Sequence, residues 1–469
     1  MEELKLYEWQ KKAIAICKER ENFAIFAQVG TGKTCTSIQI LRDKCNKERR
    51  ILKTLILGPV AVIYNWRNEI LKFSNIPDNL IYVCTGTGAS RAKKLENFLL
   101  AADSSIIITN YESLRNKSLY ALLEQWSPDI VYLDESHLCK SPDSQQSKLT
   151  YLLAKKIRYK YLLTGTPILN SPMDIFMQYK IMDGGATFGR NFFAFRARYF
   201  LNENATKPWM NFPKWVPNES MYPELMEKMH ASCIRVRSDE CLDLPPLIEQ
   251  TYHVEMNAEQ KRIYKEMKKD FMTYVKGKLV VAELALTKAL RLQQIVSGFC
   301  QTEEGKIIEI ENIPRLKVVK ELLEQITLTD KCILWCSFKF SYRQLEKVCT
   351  ELGLEYVSIT GEQSAQQKQE SCDRFQDPKG PKIAICNRKA AGLGINLTEA
   401  AYSIVYSRNF SLAEEIQSAG RNYRGGSEKH KRIVKIDLVV KNSIEEIVIK
   451  ALKNKDNIAK VLVDRIKEL

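Results

Sequence analysis

Three stretches of this chain carry residues spaced for phosphate chemistry. Ala27-Gln28-Val29-Gly30-Thr31-Gly32-Lys33-Thr34 ends in Gly-Lys-Thr, between the apolar run Phe23–Phe26 and a helical pattern from Ser37 onward. A loop in that setting aims backbone N–H groups at a phosphate chain. Gly30, Thr31 and Gly32 would line it, Lys33 would reach the β- and γ-phosphates of ATP, and the Thr34 hydroxyl would ligate Mg²⁺. The first glycine of the usual pattern is Ala27 here. Further along, Ile130-Val131-Tyr132-Leu133-Asp134-Glu135-Ser136-His137 is an apolar strand that ends in two carboxylates. Asp134 suits a contact to Mg²⁺, and Glu135 suits orienting or deprotonating a water that attacks the γ-phosphate. Near the other end, Gln417-Ser418-Ala419-Gly420-Arg421-Asn422-Tyr423-Arg424 sets two arginines three apart, read as one face of a helix turn. Two guanidiniums on a γ-phosphate would stabilise transition-state charge, an effect worth roughly 10³–10⁵ in rate. A strand-end Asp-Glu is often a solvated turn, and an arginine pair is often basic surface. The phosphate loop upstream favours the chemical reading of both.

The elements that must position these residues alternate, short β-rich runs with amphipathic helices, twice over. The first half offers strands at Phe23–Phe26, Thr54–Leu57, Ile106–Thr109, Ile130–Asp134 and Tyr161–Thr164. The second offers Cys332–Trp335, Tyr356–Ile359, Ile383–Ile385, Ser403–Tyr406 and Ile433–Leu438. The expected fold is α/β: two parallel-sheet lobes, at 1–245 and 246–469, with helical insertions at about 186–234 and 257–300 near their junction. Ligands of such sheets collect at the carboxyl ends of the strands, where the motifs lie. The first insertion is rich in aromatics, from Phe188 to Trp215. Aromatics at helical spacing favour a small core, with Trp209 and Trp215 as the exposed members and a wedge or stacking surface as the other reading.

At 469 residues the chain exceeds one ordinary core. Its 71 Lys and Arg against 56 Asp and Glu give +15, which favours an acidic partner, nucleic acid first. No apolar run approaches a membrane span, and the opening Met1-Glu2-Glu3 lacks a leader pattern, so the expected place is the cytoplasm. The 13 cysteines, without a Cys-x-x-Cys pair and beside only 4 histidines, support neither a structural metal nor a disulfide framework.

In order and spacing these motifs resemble the Swi/Snf-type DNA translocases of helicase superfamily two, over nearly the whole chain. Leu6-Tyr7-Glu8-Trp9-Gln10 is similar to the adenine-reading motif, with Gln10 as the contact. Leu57-Gly58-Pro59 through Asn65-Trp66 and Ile108-Thr109-Asn110-Tyr111-Glu112 resemble DNA-contact motifs. Asp134-Glu135-Ser136-His137 is a variant of the Asp-Glu-Ala-His box, and Leu163 to Asn170 is nearly the third motif. Gly392-Leu393-Gly394-Ile395-Asn396-Leu397 is close to the fifth motif, which puts Gly394 at the nucleotide, and Gln417, Arg421 and Arg424 fall on the sixth.

The resemblance implies two RecA-like lobes, ATP and Mg²⁺ as cofactors, and a track along one strand of duplex DNA. The DNA contacts it implies are Trp66, Asn110, Tyr111, Thr360, Gly361, Arg388, Lys389 and Asn396. Arg388 departs from the small hydroxyl residue usual there, Ala391 replaces a glycine, and Gly425-Gly426-Ser427 replaces the usual ending. The length leaves no room for reader modules, which implies a nearly bare, monomeric motor like those of phage, viral and bacterial systems. The expected activity is ATP-driven translocation on double-stranded DNA with remodelling of branched DNA. Displacement of proteins such as RNA polymerase, a nucleotide-gated clamp without turnover, and an RNA helicase are the other readings.

Overall fold

The computed structural model describes residues 6–60, 62–86, 88–102, 104–168, 171–205, 213–241, 244–277, 282–302, 306–391 and 395–453. The chain divides into two units, Met1–Leu242 and Asp243–Leu469. Each apolar run read as a strand coincides with one, save that Thr164 and Tyr406 fall one residue past a strand end, and each unit is built on one parallel sheet.

In the first unit the strands are β1 Asn22–Ala27, β2 Thr54–Gly58, β3 Ile81–Val83, β4 Ile106–Asn110, β5 Ile130–Asp134, β6 Tyr159–Leu163, the hairpin strands β7 Phe200–Asn202 and β8 Trp215–Pro217, and β9 Cys233–Val236. The sheet runs β3-β4-β2-β5-β6-β1-β9, with every neighbouring pair parallel. β2, β4 and β5 are buried along their whole length, as strands covered by helices on both faces must be. This arrangement brings the C-terminal ends of β1, β5 and β6 side by side, so the loops after Ala27, Asp134 and Leu163 share one edge.

The second unit contains β10 Leu247–Val254, the hairpin strands β11 Phe299–Gln301 and β12 Ile307–Glu309, then β13 Lys331–Cys336, β14 Tyr356–Ile359, β15 Ile383–Asn387, β16 Ala400–Val405 and β17 Ile433–Val440. Its parallel sheet runs β10-β17-β16-β13-β15-β14. The helices Ala258–Gly277 and Ala282–Val296 contribute Tyr264, Leu292, Ile295 and Val296 to a buried cluster with Ile444 and Val448.

Three sheet strands escape the periodicity reading. β3 has three residues, β9 is half-buried, and β10 is exposed along most of its length, so none shows an apolar run. β16 begins three residues earlier than its apolar run suggests, and the register shifts between Lys331 and Cys332 where β13 meets it. In the aromatic insertion Phe188, Phe195, Tyr199 and Phe200 belong to the first unit's core. Trp215 differs from its expected exposure: it is half-buried in β8, and Phe193 is the open ring at 68% exposed. Trp209 lies outside the described residues. None of the thirteen cysteines is in a disulfide. Among the described residues no helix is long and apolar enough to cross a membrane, and no group of three or more His, Cys, Asp or Glu could hold a metal ion.

Candidate active site

The phosphate loop turns out of β1 into the 16-residue helix Lys33–Glu48. Gly30 (φ 84°) and Gly32 (φ 91°) take the left-handed backbone that lets successive N–H groups face inward. Lys33 Nζ donates to the carbonyls of Ala27 at 2.7 Å and Gln28 at 3.2 Å, so the cation sits over the loop. Ala27, where a glycine is usual, ends β1, which is buried from Phe23 onward, and uses its carbonyl for that bond. Thr31 is buried with its hydroxyl on Gln28 O, and Thr34 is half-buried in the first helical turn.

Gln10 approaches the same loop from the helix Glu8–Glu19. Its Nε2 donates to Gly32 O at 3.2 Å and Thr36 Oγ1 at 3.1 Å, while its Oε1 accepts from Tyr7 N at 2.8 Å. The φ of Gly32 requires glycine, and a Cβ there would stand 2.6 Å from that Nε2 and displace the Gln10 amide. These donors and the cation at a helix N-terminus fit a nucleotide phosphate chain.

Beside the loop, the end of β5 delivers Asp134 and Glu135. Asp134 Oδ2 accepts from Trp66 Nε1 at 2.8 Å, Oδ1 accepts from Glu135 N at 3.0 Å, and its carbonyl accepts from Tyr111 OH at 2.8 Å. Glu135 takes positive φ (50°), which reverses the chain and turns its side chain back toward β6. There Glu135 Oε2 lies 3.1 Å from Thr164 Oγ1 and 3.2 Å from His137 Nδ1. Burial and the Glu135 carboxylate push Asp134 up to about 6, against the Trp66 hydrogen bond and the Lys33 ammonium. Burial also works to raise Glu135, but the His137 imidazole, Lys33 and Thr164 outweigh it and hold that carboxyl down at about 2. Two adjacent carboxyls driven apart in this way are a mark of acid–base chemistry. Gly165 lets the next loop close on the first: a Cβ there would lie 3.2 Å from Gln28 Cα.

In the second unit Arg421 and Arg424 lie beyond the helix Leu412–Ala419, in the turns that follow it, and not on a helix face. What aligns them is one acceptor: the Ile395 carbonyl receives Arg421 Nη1 and Arg424 Nη1, each at 3.3 Å. Leu397 N donates to Arg421 O at 3.1 Å and reinforces the pairing of the two segments. Gly394 lies outside the described residues.

The residues expected along DNA separate into two groups. Lys389, Gly361 and Asn396 are exposed. Trp66 and Tyr111 are buried with their polar atoms spent on Asp134, so they belong to the carboxylate's support and offer no surface. Asn110 is buried between Arg91 and Glu112, and Thr360 is buried in a turn with Gln363 and Glu362. Arg388, 1% exposed, pairs with Glu415, which also meets Arg408 Nε at 3.5 Å and Lys435 Nζ at 3.3 Å. An arginine so enclosed cannot reach a phosphate without breaking that pair. Its charge is what a small hydroxyl residue at 388 would not bring, and only the partner on a distant helix reveals it.

Residues 9–303 match the family described as the SNF2-related domain, and residues 314–426 match the helicase conserved C-terminal domain. The chain belongs to the SNF2-related family. This SNF2-related chain is 24% identical over 474 residues to the DNA repair and recombination protein RAD54-like of Danio rerio, covering 93% of this chain and 63% of that one. It is 23% identical over 461 residues to the ISWI chromatin-remodeling complex ATPase ISW1 of Saccharomyces cerevisiae, covering 93% and 38%. It is 26% identical over 441 residues to an uncharacterized ATP-dependent helicase of Mycoplasma pneumoniae, covering 93% and 40%. The chain thus spans less than two thirds of each of these relatives. Among solved structures it is similar to the Sulfolobus solfataricus SWI2/SNF2 ATPase core in complex with dsDNA, with a TM-score of 0.44, 23% identity and coverage of 99% and 93%.

Two residues of the SNF2-related site, His137 and Gln28, were not assigned a role from sequence. His137 and Thr164 hold Glu135, and Gln28 Oε1 accepts from Ser238 N at 2.9 Å and Ser238 Oγ at 2.7 Å, tying the phosphate loop to the segment after β9. All three side chains lie within motifs already quoted. The Gln28–Ser238 contact shows in no local pattern, because the partner is 210 residues away.

Proposed function

We propose that this chain is a DNA-dependent ATPase that uses hydrolysis to move along double-stranded DNA. The observation that carries the reading is the cluster of Lys33, Asp134, Glu135 and Thr164 at adjoining strand ends beside a glycine-built phosphate loop. In this reading the loop amides and Lys33 hold the phosphates, Gln10 reads the adenine, and Thr34 and Asp134 would hold Mg²⁺. The ion would supply neutralisation of phosphate charge. Glu135, fixed by His137 and Thr164, orients the attacking water toward the γ-phosphorus. Its low pKa favours orientation over full proton abstraction before attack. Arg421 and Arg424 stabilise the charge that develops on the γ-phosphate. Lys389, Gly361 and Asn396 are the strongest candidates for the DNA track, and +15 of net charge supports a polyanionic partner.

We assign branched DNA as the object remodelled: forks, D-loops or four-way junctions. A relative named for DNA repair and recombination supports this. The test is steady-state ATPase activity without nucleic acid and with single-stranded DNA, linear duplex, fork, four-way junction and RNA. Highest stimulation on forks or junctions, with strand exchange, supports branch remodelling. Equal stimulation by linear duplex moves the reading to a protein-displacing translocase, and stimulation by RNA alone overturns it.

A further inference from the structure

The helix Phe192–Tyr199 has two aromatic faces, and the first unit's core uses one of them. Phe195 and Tyr199 point inward, packing on Phe176 and Phe188 at 5.0–6.3 Å between ring centroids. Phe193 points out, 68% exposed, where burial gives no reason for a ring. One turn on, the half-buried Arg196 guanidinium lies 5.2 Å from the Phe193 ring centroid, 5.6 Å from Phe192 and 4.1 Å from Trp215 of β8. Three rings thus hold one flat cation in place, and the open face of Phe193 continues its surface.

The charge of this segment is compensated only in part. From Phe188 to Pro217 the chain carries Arg190, Arg196, Arg198, Lys207 and Lys214 against Glu203 alone. Arg198 is taken by Glu224 and Lys214 by Glu203, but no carboxylate among the described residues pairs with Arg196 or Arg190. The helix's own N-terminal donors are already satisfied by Asn191 Oδ1, so the shelf's attraction for an anion resides in the guanidinium.

We propose that Phe193, Arg196 and Trp215 form a binding surface for an unpaired nucleotide of DNA. The chemistry selects this partner. An unpaired nucleotide offers a base whose π-face is free to stack on Phe193 and a phosphate for the Arg196 guanidinium. Bases inside linear duplex are stacked on one another and present no free face, so the surface distinguishes a branch point from continuous duplex. The inference rests on the DNA-motor reading and adds to it a device for selecting where the motor acts.

The test compares Phe193→Ala, Phe193→Trp and Arg196→Ala with the unaltered chain, after thermal melting has shown that each folds. Binding is read by fluorescence anisotropy on linear duplex and on a fork with an oligo-dT arm. Base stacking is read by 2-aminopurine placed in that arm. Phe193→Ala should weaken fork binding by ~5- to 150-fold, the loss of one base–aromatic stack, while leaving linear-duplex affinity and duplex-stimulated ATPase as they were. Phe193→Trp should retain fork binding and quench 2-aminopurine at least as strongly. Arg196→Ala should weaken fork binding and lower its salt dependence by about one phosphate contact. Equal losses on fork and duplex, or no loss on either, overturn the proposal; unchanged DNA binding would hand the shelf to an acidic protein partner. The motor reading fails separately, if no DNA stimulates the ATPase of the unaltered chain.

Discussion

The Trp66 indole N–H donates to Asp134 Oδ2 at 2.8 Å, joining residues 68 apart in sequence. The bond fixes the carboxylate that we assign to Mg²⁺, and it spends the only polar atom of a side chain whose motif suggests DNA contact. Trp66→Phe separates the two roles. Removing a hydrogen bond to a buried charge costs about 1.5–3 kcal/mol, so ATP turnover should fall by roughly tenfold or more. DNA affinity measured without nucleotide should change less than twofold.

Glu135→Gln keeps the size of the side chain and loses the charge that His137 and Thr164 orient. ATP and DNA binding should survive in filter assays, while hydrolysis falls by about 10²-fold or more. Persistent turnover in that variant would remove Glu135 from the mechanism.

Gly32→Ala meets two obstacles at once, the backbone at φ 91° and Gln10 Nε2 at 2.6 Å from the new Cβ. The left-handed backbone alone costs about 1–2 kcal/mol. ATP affinity should fall at least tenfold, measured with a fluorescent analogue. Adding Gln10→Ala should restore only part of it, because the second change clears the contact and leaves the backbone strained.

Glu415 ties acid stability to the second unit. Burial works to raise its pKa, but Arg388, Arg408 and Lys435 outweigh burial and hold it well below the ordinary value of 4.5. A carboxyl lowered on folding stabilises the fold above its unfolded pKa and loses that contribution as pH falls through the folded one. Stability, read by denaturant titration, should therefore decline from about pH 5 downward. Glu415→Gln should be about 3–5 kcal/mol less stable at pH 7, since it leaves buried arginines unpaired, and should show a flatter acid limb.

The parallel strands and the phosphate loop were legible because their signals are local. β5 is an unbroken apolar run that stops at Asp134, and Gly-Lys-Thr follows β1 within one loop. β9 and β10 left no such signal, since one is half-buried and the other exposed, and their strand pairing comes from the neighbouring chain alone. The Arg421–Arg424 pair was visible as spacing, but its alignment was attributed to a helix that ends before it.

The sequence by itself pointed to the residues we assign to the chemistry: Lys33, Asp134, Glu135, Arg421 and Arg424 stand out by residue type, spacing and the strands that precede them. Tertiary structure decided which of the remaining motif residues face solvent. Trp66 turns in to Asp134, Arg388 turns in to Glu415, and Phe193 turns out beside Arg196. The physical reason is that spacing constrains only neighbours along a helix or strand. The burial of a polar or aromatic side chain depends on a partner supplied by another element, which local pattern does not contain.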